Sequence, residues 1–153
     1  MAIEAPISRY KKTNLKIYIV ACLVIGIWCA YDGYFNDRWI EEHTDVDGTP
    51  QTYLVFNRKA PPFFLGAAVL LGVYLFAIRS KKVIADENEL IVGDKEKIPY
   101  DSVQKIDKTH FGSKGYFIIA YKDKDGTEIN RKLSDRTYDN LAAVLDELVA
   151  KIS

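Results

Sequence analysis

The chain has 153 residues, with 21 acidic and 21 basic side chains and two histidines. This length suits one ordinary domain with a small attachment and excludes a large multidomain enzyme. Because the formal net charge is zero, no overall electrostatic field would attract nucleic acid, and a nucleic-acid partner is not expected.

The first apolar stretch, LKIYIVACLVIGIWCAY over residues 15–31, has three interpretations: a cleaved signal peptide, a lipoprotein signal or a retained membrane span. The tetrapeptide Ile19-Val20-Ala21-Cys22 resembles a lipobox. Cleavage before that cysteine would, however, leave an apolar start on the mature chain instead of a polar tether. No small-residue cleavage site of the A-x-A type follows the stretch. We therefore expect a retained transmembrane helix over residues 14–35, preceded by a cytoplasmic basic tail over residues 1–13.

The second apolar stretch, PPFFLGAAVLLGVYLFAI over residues 61–78, contains no charged side chain. Two such stretches in so short a chain favour a membrane hairpin over a buried soluble helix. The two prolines that open the stretch are typical of a helix start, since the first turn needs no N–H donor. The sequence therefore predicts a second span over residues 61–79 and an extracytoplasmic loop over residues 36–60. Within this loop we expect a short extended segment over residues 52–56, and the loop serves either as a cap on the hairpin or as a partner contact.

The distribution of basic residues gives the orientation of this hairpin. Seven basic side chains flank the hairpin on the side of the two termini: Arg9, Lys11, Lys12, Lys16, Arg79, Lys81 and Lys82. The connection between the spans carries three, Arg38, Arg58 and Lys59, and is rich in acidic residues. The positive-inside rule therefore predicts a multi-pass protein of the inner (cytoplasmic) membrane with both termini in the cytoplasm.

Small residues recur at four-residue spacing on one face of each span. They are Cys22, Gly26 and Ala30 in the first span and Ala68 and Gly72 in the second. Because lipid provides little hydrophobic drive for helix pairing, close packing by small residues matters more. We expect these faces to meet, although small residues are common in membrane helices and the same face can serve the helix of a partner.

From residue 80 the pattern changes to short apolar alternations separated by turns. KVIAD, ELIVG, KIPY, SVQKIDK, GYFIIAYK and TEINRKL are predicted to form an antiparallel, strongly curved sheet or barrel. The dipeptide Asp125-Gly126 is typical of a tight hairpin turn between the last two strands. The tail carries a helical apolar stripe from Tyr138 to Ile152, with Ser134 as the expected N-cap, and predicts an amphipathic helix that closes the sheet.

The order of these strands and the closing helix resembles the bacterial pleckstrin-homology-like domains (PH-like domains) of small membrane proteins. The resemblance rests on LIVGDKEKIPYDSVQKID, GYFIIAYKDKDGTEINRKL and DRTYDNLAAVLDELVAKI. It implies an α+β fold in which a transmembrane helical hairpin is followed by a cytoplasmic PH-like domain over residues 80–153. The turn Asp86-Glu87-Asn88-Glu89 is acidic, whereas family members that bind phosphoinositides carry basic residues there.

No combination of residues in the sequence points to catalysis. The two histidines are expected on opposite sides of the membrane, so they cannot share a metal ion. Cys22 and Cys29 lack further ligands nearby. The segments Asp45-x-Asp47-Gly48 and Asp123-x-Asp125-Gly126 lack the later oxygen ligands of a calcium loop and are interpreted as turns. We expect no catalytic residue, no metal and no cofactor, and hence a protein that is not an enzyme.

These features favour a membrane-anchored docking or assembly module, an accessory protein that binds another membrane or cytoplasmic protein. One alternative is recognition of a lipid or small ligand by the PH-like domain, and another is an accessory subunit of a membrane enzyme or transporter. The bilayer itself is the first expected partner, and a homo-oligomer is compatible with the sequence.

Overall fold

The computed structural model describes residues 1–153 and divides into two units, residues 1–12 with 77–153 and residues 13–76. The architecture is α+β, with two long apolar helices, antiparallel sheets and a C-terminal helix. In chain order the elements are β1 (Ile3–Pro6), α1 (Arg9–Tyr34), α2 (Asp37–Glu42), α3 (Thr52–Ile78), β2 (Lys82–Ala85), β3 (Glu89–Val92), β4 (Glu96–Pro99), β5 (Val103–Asp107), α4 (Phe111–Lys114), β6 (Tyr116–Lys122), β7 (Glu128–Ser134) and α5 (Leu141–Ile152).

The first unit contains two antiparallel sheets, with strand orders β1-β2-β3-β4 and β5-β6-β7. Strands β2 to β7 confirm the six strands predicted from the alternating pattern, because side chains on a pleated strand point alternately inward and outward. The prediction of a closed barrel is wrong, because no strand of one sheet pairs with a strand of the other. A 3-10 turn over Tyr100–Ser102 separates β4 from β5 and sends the chain from one sheet into the other.

Strand β1 lies within the segment predicted as a basic tail. It pairs antiparallel with β2, with Pro6 opposite Lys82, and Ala5 is fully buried. Pro6 is tolerated because β1 is an edge strand, where a residue without an N–H need not interrupt the hydrogen bonds between strands. The structure therefore differs from the predicted tail, since residues 3–6 are part of the folded domain.

Helix α5 covers the first sheet through contacts with β1 and β2. It begins at Leu141, after Asn140 in the left-handed region with φ of 61°. The predicted N-cap at Ser134 is wrong, because Ser134 ends β7 and pairs with Tyr116. Both sheets and α5 supply the hydrophobic core, which consists of Ala5, Val83, Ala85, Leu90, Val92, Ile98, Phe117, Ile119, Tyr121, Leu133, Leu141, Val144, Leu145 and Leu148.

The second unit consists of most of α1 and α3 with the connection between them. Both helices are long and apolar enough to cross a membrane, and only 17% of the apolar window of each is buried. One subset of the buried and half-buried positions recurs at alternating spacings of three and four residues, as in a left-handed helix pair. They are Leu15, Ile19, Cys22, Gly26, Cys29 and Gly33 in α1 and Leu54, Asn57, Pro61, Phe64, Ala68, Leu71 and Leu75 in α3.

The second long helix begins earlier than the sequence predicts. α3 starts at Thr52, so the segment over residues 52–56 is helical and the prediction of an extended segment is wrong. Pro61 and Pro62 lie inside the helix, where each removes one backbone donor, instead of at its start. The connection that remains between α1 and α3 is short and contains α2.

Candidate functional site

The two long helices are attached to neighbouring strands of the first sheet. α1 begins at Arg9, three residues after β1 ends, and α3 ends at Ile78, four residues before β2 begins. β1 and β2 are hydrogen-bonded neighbours. The beginning of α1 and the end of α3 therefore leave from one pair of strands.

Ser8 is the N-cap of α1 and ties its first turn to the segment before α5. The side chain is fully buried, and its hydroxyl donates to the carbonyl oxygen of Arg136 at 2.5 Å while accepting from the N–H of Lys11 at 3.1 Å. The backbone N–H of Ser8 donates to the carbonyl of Thr137 at 2.8 Å. A serine oxygen that accepts from the third helical N–H is a typical cap. Ser8 is not among the residues predicted from the sequence to be functional.

The seven basic residues used for the orientation lie around this attachment. Arg9, Lys11, Lys12 and Lys16 are on the first turns of α1, Arg79 and Lys81 follow α3, and Lys82 opens β2. The ammonium group of Lys82 forms an ion pair with Glu4 on β1 at 2.6 Å. This charge pair is exposed, so it contributes little to stability.

The five predicted packing residues of the helix pair have different surroundings. A Cβ built on Gly26 would lie 3.2 Å from a side-chain carbon of α3. Ala68 is 4% exposed, while Cys22 and Ala30 are half-buried. At Gly72 nothing lies within 4 Å of the position that a Cβ would take, so this glycine makes no close contact.

The two helices also approach each other closely at Gly33, a residue absent from the predicted packing set. A Cβ there would lie 2.9 Å from the carbonyl oxygen of Asn57. The carbonyl of Gly33 accepts a hydrogen bond from Nε of Arg58 at 2.8 Å. Carbonyl groups in the last turn of a helix lack partners within the helix and attract cations. Arg58 therefore caps the C-terminal end of α1. The sequence did not predict this role, because Arg58 lies in the segment predicted as a loop.

Tyr34 compensates for Pro62, one of the two prolines inside α3. Pro62 has no N–H, so it cannot donate to the carbonyl of Arg58 four residues earlier. The hydroxyl of Tyr34 donates to that carbonyl at 3.0 Å. A partner from α1 thus replaces the donor that is missing at Pro62.

Asp32 is the buried acidic group of the helix pair, with an exposed fraction of 9%. Its carboxylate accepts from the indole Nε1 of Trp28 at 2.7 Å and from Nδ2 of Asn36 at 2.9 Å. An open cavity of about 250 Å³ beside it is lined by Ile25, Trp28, Cys29, Asp32 and Asn57. Both carboxylate oxygens are engaged, and the structure contains no group of three or more His, Cys, Asp or Glu side chains arranged to hold a metal.

The connection between α1 and α3 is folded on itself. The rings of Trp39 and His43 stack with their centroids 3.8 Å apart. Gly48, with φ of 85°, donates its N–H to the carbonyl of Asp45 at 2.8 Å, which confirms the predicted turn. The backbone N–H of Thr49 stabilises the charged form of Asp47 and lowers the pKa of that carboxyl below its usual value.

Glu96 connects the two sheets of the first unit. Its carboxylate accepts from the hydroxyl of Tyr121 at 2.8 Å and lies 3.2 Å from Nη2 of Arg131. Burial, followed by the hydrogen bond to Glu96 and its charge, raises the pKa of Tyr121 to about 12. Because Glu96 belongs to β4 whereas its partners belong to β6 and β7, this cluster holds the open sheets together.

Strand β7 leaves one side of its backbone unpaired. Two hydrogen bonds flank the β6–β7 pair, from the N–H of Asp123 to the carbonyl of Thr127 at 3.0 Å and from the N–H of Asp135 to the carbonyl of Gly115 at 2.8 Å. Backbone groups alternate between the partner strand and the opposite side in an antiparallel pair. The residues of β7 whose backbone groups point to the open side are Glu128, Asn130, Lys132 and Ser134. The carbonyl of Ser134 accepts from the N–H groups of Thr137 and Tyr138, whereas the other three residues make no further backbone hydrogen bond.

No protein-family model matches the chain, and no curated protein or solved structure is significantly similar to it. The fold defines the class of protein: it is an α+β domain joined to two apolar helices, each long enough to cross a membrane.

Proposed function

We propose that α1 and α3 form a transmembrane hairpin in the cytoplasmic membrane. The support is the exposed apolar surface of both helices: Ile27 of α1 is 65% exposed and Leu70 of α3 is 72% exposed. Exposed apolar areas of this extent are unfavourable in water and are matched by lipid. At about 1.5 Å per residue, a helix of 27 residues is roughly 40 Å long and exceeds a hydrocarbon core of about 30 Å.

In this proposal both termini are cytoplasmic and the connection between the helices is outside. The basic residues around the β1–β2 attachment support this orientation by the positive-inside rule. The test is a reporter fused after Ser153, compared with the same reporter inserted after the exposed Val46. Cytoplasmic activity is expected at Ser153 and extracytoplasmic activity at Val46, and the reverse pattern would overturn the orientation.

The domain is proposed to be a non-enzymatic docking module, in keeping with the PH-like resemblance of residues 80–153. Its partner would be an extended segment of another membrane or cytoplasmic protein, added as a strand beside β7. The observation that carries this proposal is the backbone edge of the seven-residue strand β7, which is unpaired from Glu128 to Lys132.

The other three sheet edges have features that hinder strand addition. β1 and β4 have only four residues each and end in prolines, Pro6 and Pro99. β5 has an irregular register between Val103 and Lys105. Short strands, prolines and bulges are the usual protection of sheet edges. β7 has neither a proline nor a bulge, so it is the edge best suited to a partner strand.

The test places a proline at Asn130, whose N–H points to the open side of β7. Asn130→Pro removes a donor from the edge but none from the β6–β7 ladder, so the domain should still fold. The matched control is Lys124→Pro, because Lys124 is the second residue of the turn, where proline is favoured.

The full chain and both variants are purified from cells in mild detergent, and the bound proteins are quantified by mass spectrometry. A partner retained by the parent chain and by Lys124→Pro but lost from Asn130→Pro supports the proposal. Equal recovery with Asn130→Pro, at unchanged circular dichroism, would overturn it. If the lost partner is a second copy of the chain, β7 is a self-association edge; if it is a membrane enzyme or transporter, the protein is its accessory subunit.

A further inference from the structure

A basic cavity lies where the β6–β7 pair meets α4. Its volume is about 330 Å³, and it is lined by Ser113, Lys114, Tyr116, Lys132, Ser134 and Arg136. Three segments form it: the end of α4, the first residue of β6, and the end of β7 with Arg136 just after it. Tyr116 lies opposite Ser134 and Ile118 lies opposite Lys132 in the sheet, so the register fixes these side chains on one face.

The cavity holds three positive charges and no carboxylate among its lining residues. Lys114, Lys132 and Arg136 form no ion pair within the chain. Lys132 lies over the ring of Tyr116, with Nζ 3.9 Å from the ring centroid, and this cation–π contact holds the ammonium group in place. The site therefore presents unpaired cations beside the hydroxyl groups of two serines.

Asp135 is an acidic residue between two lining residues in the sequence, Ser134 and Arg136, and its side chain is directed to Gly115. The carboxylate occupies the space that a Cβ at Gly115 would need, and Gly115 itself has φ of 69°. Glycine at this position thus removes two obstacles, since it tolerates the left-handed backbone and leaves room for the carboxylate. The arrangement keeps the acidic group out of the lining of the cavity.

We infer that this cavity binds the phosphate group of a phosphate monoester. Lysine, arginine and hydroxyl donors are the groups with which proteins hold phosphate oxygens, because charged donors make the stronger hydrogen bonds. The volume falls at the lower end of the range for small-ligand sites, which suits a phosphate that carries a small organic group.

The phosphate can come from a lipid headgroup or from a soluble ester. Arg136 is tied through its carbonyl to Ser8, the cap of α1. The charge-free stretch of α1 begins at Ile17, nine residues after Ser8 in the sequence. A headgroup source rests on the membrane insertion proposed above, whereas a soluble source does not.

The experiment is calorimetric titration of the full chain in uncharged detergent. The probes are inorganic phosphate, glycerol 3-phosphate and dioctanoyl phosphatidic acid, with dioctanoyl phosphatidylcholine as the lipid lacking net charge. The double variant Lys132→Gln with Arg136→Gln should bind at least about tenfold more weakly, because two charged donors are lost. The control is Lys122→Gln with Lys124→Gln, at the opposite end of the same hairpin and outside the cavity.

Binding of a soluble phosphate that weakens in the double variant but not in the control supports a site for phosphate esters in general. Binding of phosphatidic acid alone, with the same loss, supports a lipid headgroup. Lys114→Gln, on a different segment, should weaken the same binding and guards against a folding defect in the double variant. Absence of binding by all phosphate probes, equal binding of phosphatidylcholine, or unchanged binding in both cavity variants would overturn the inference.

Discussion

Pro6 and Lys82 lie opposite each other at the end of the β1–β2 pair, and each is next to a connection that leads into a long helix. One pair of short strands therefore holds the beginning of α1 and the end of α3. If α1 and α3 cross a bilayer as a hairpin, this attachment requires that the segment before α1 and the segment after α3 lie on the same side of the membrane. The folded domain depends on both segments, because β1 precedes α1 and the other strands follow α3.

The substitution Ala5→Asp should destabilise the domain although it lies in the first residues of the chain. Ala5 is fully buried in the core, and an unpaired carboxylate there costs about 3 kcal/mol or more. The measurement is thermal unfolding in detergent combined with protease resistance of residues 77–153. Glu4→Gln is the control, since it removes only an exposed ion pair and should change stability by less than about 1 kcal/mol. Equal protease resistance of Ala5→Asp and the parent would show that β1 is dispensable.

Substitution by alanine should destabilise the helix pair at Gly33 but not at Gly72. Gly33→Ala places a methyl group 2.9 Å from the carbonyl oxygen of Asn57, so the backbones must move apart at a cost of about 1–3 kcal/mol. Gly72→Ala has open space and should be neutral or stabilise by up to about 1 kcal/mol. The melting temperature of each variant in the same detergent checks both expectations, and a similar decrease in the two variants would contradict the assigned contact.

Tyr34 and Pro62 should be energetically coupled. Tyr34→Phe leaves the carbonyl of Arg58 without a partner and should cost about 1 kcal/mol. In a Pro62→Ala background the new N–H at position 62 can donate to that carbonyl, so the same substitution should cost less. A double-mutant cycle of unfolding free energies measures the coupling. Tyr31→Phe on the exposed side of α1 is the control, and a coupling of zero would rule out compensation by Tyr34.

The stability of the domain should fall as the pH rises from about 10 to about 12. Burial first, and then Glu96, raises the pKa of Tyr121 to about 12, whereas an unfolded tyrosine ionises near pH 10. Between these values the unfolded chain loses the proton and the folded chain keeps it, so unfolding becomes more favourable. Burial, with the charge of Glu147 next, raises the pKa of Tyr100 to about 12 in the same direction.

Tyr121→Phe should therefore flatten the alkaline part of the stability curve, even if the loss of its hydrogen bond lowers stability at neutral pH. Thermal unfolding followed by circular dichroism across this pH range provides the slope. Tyr10→Phe, at an exposed position, should leave the slope unchanged. A Tyr121→Phe curve parallel to that of the parent would count against the buried tyrosine as the source of the pH dependence.

Local patterns in the sequence are sufficient to predict several parts of the fold. The two apolar stretches predict two long helices, and the alternation from residue 82 onward predicts β2 to β7. Asp125-Gly126 predicts the turn in which Gly126 has φ of 78°. Each of these features depends on residues that are close together in the chain, so composition and periodicity are enough to identify them.

Other features arise only when distant segments meet. β1 is too short to be recognised alone and becomes a strand because β2 offers it a partner after an interval of 75 residues. The carbonyl of Arg58, which Pro62 leaves without a helical donor, is satisfied because Tyr34 on another helix donates to it. The basic cavity combines Lys114 at the end of α4 with Lys132 on β7 and Arg136 after β7, which come together only in the folded domain. Sequence periodicity determined the type of each long element, whereas the tertiary structure decided which polar groups found partners, because hydrogen bonds and charges act between neighbours in space.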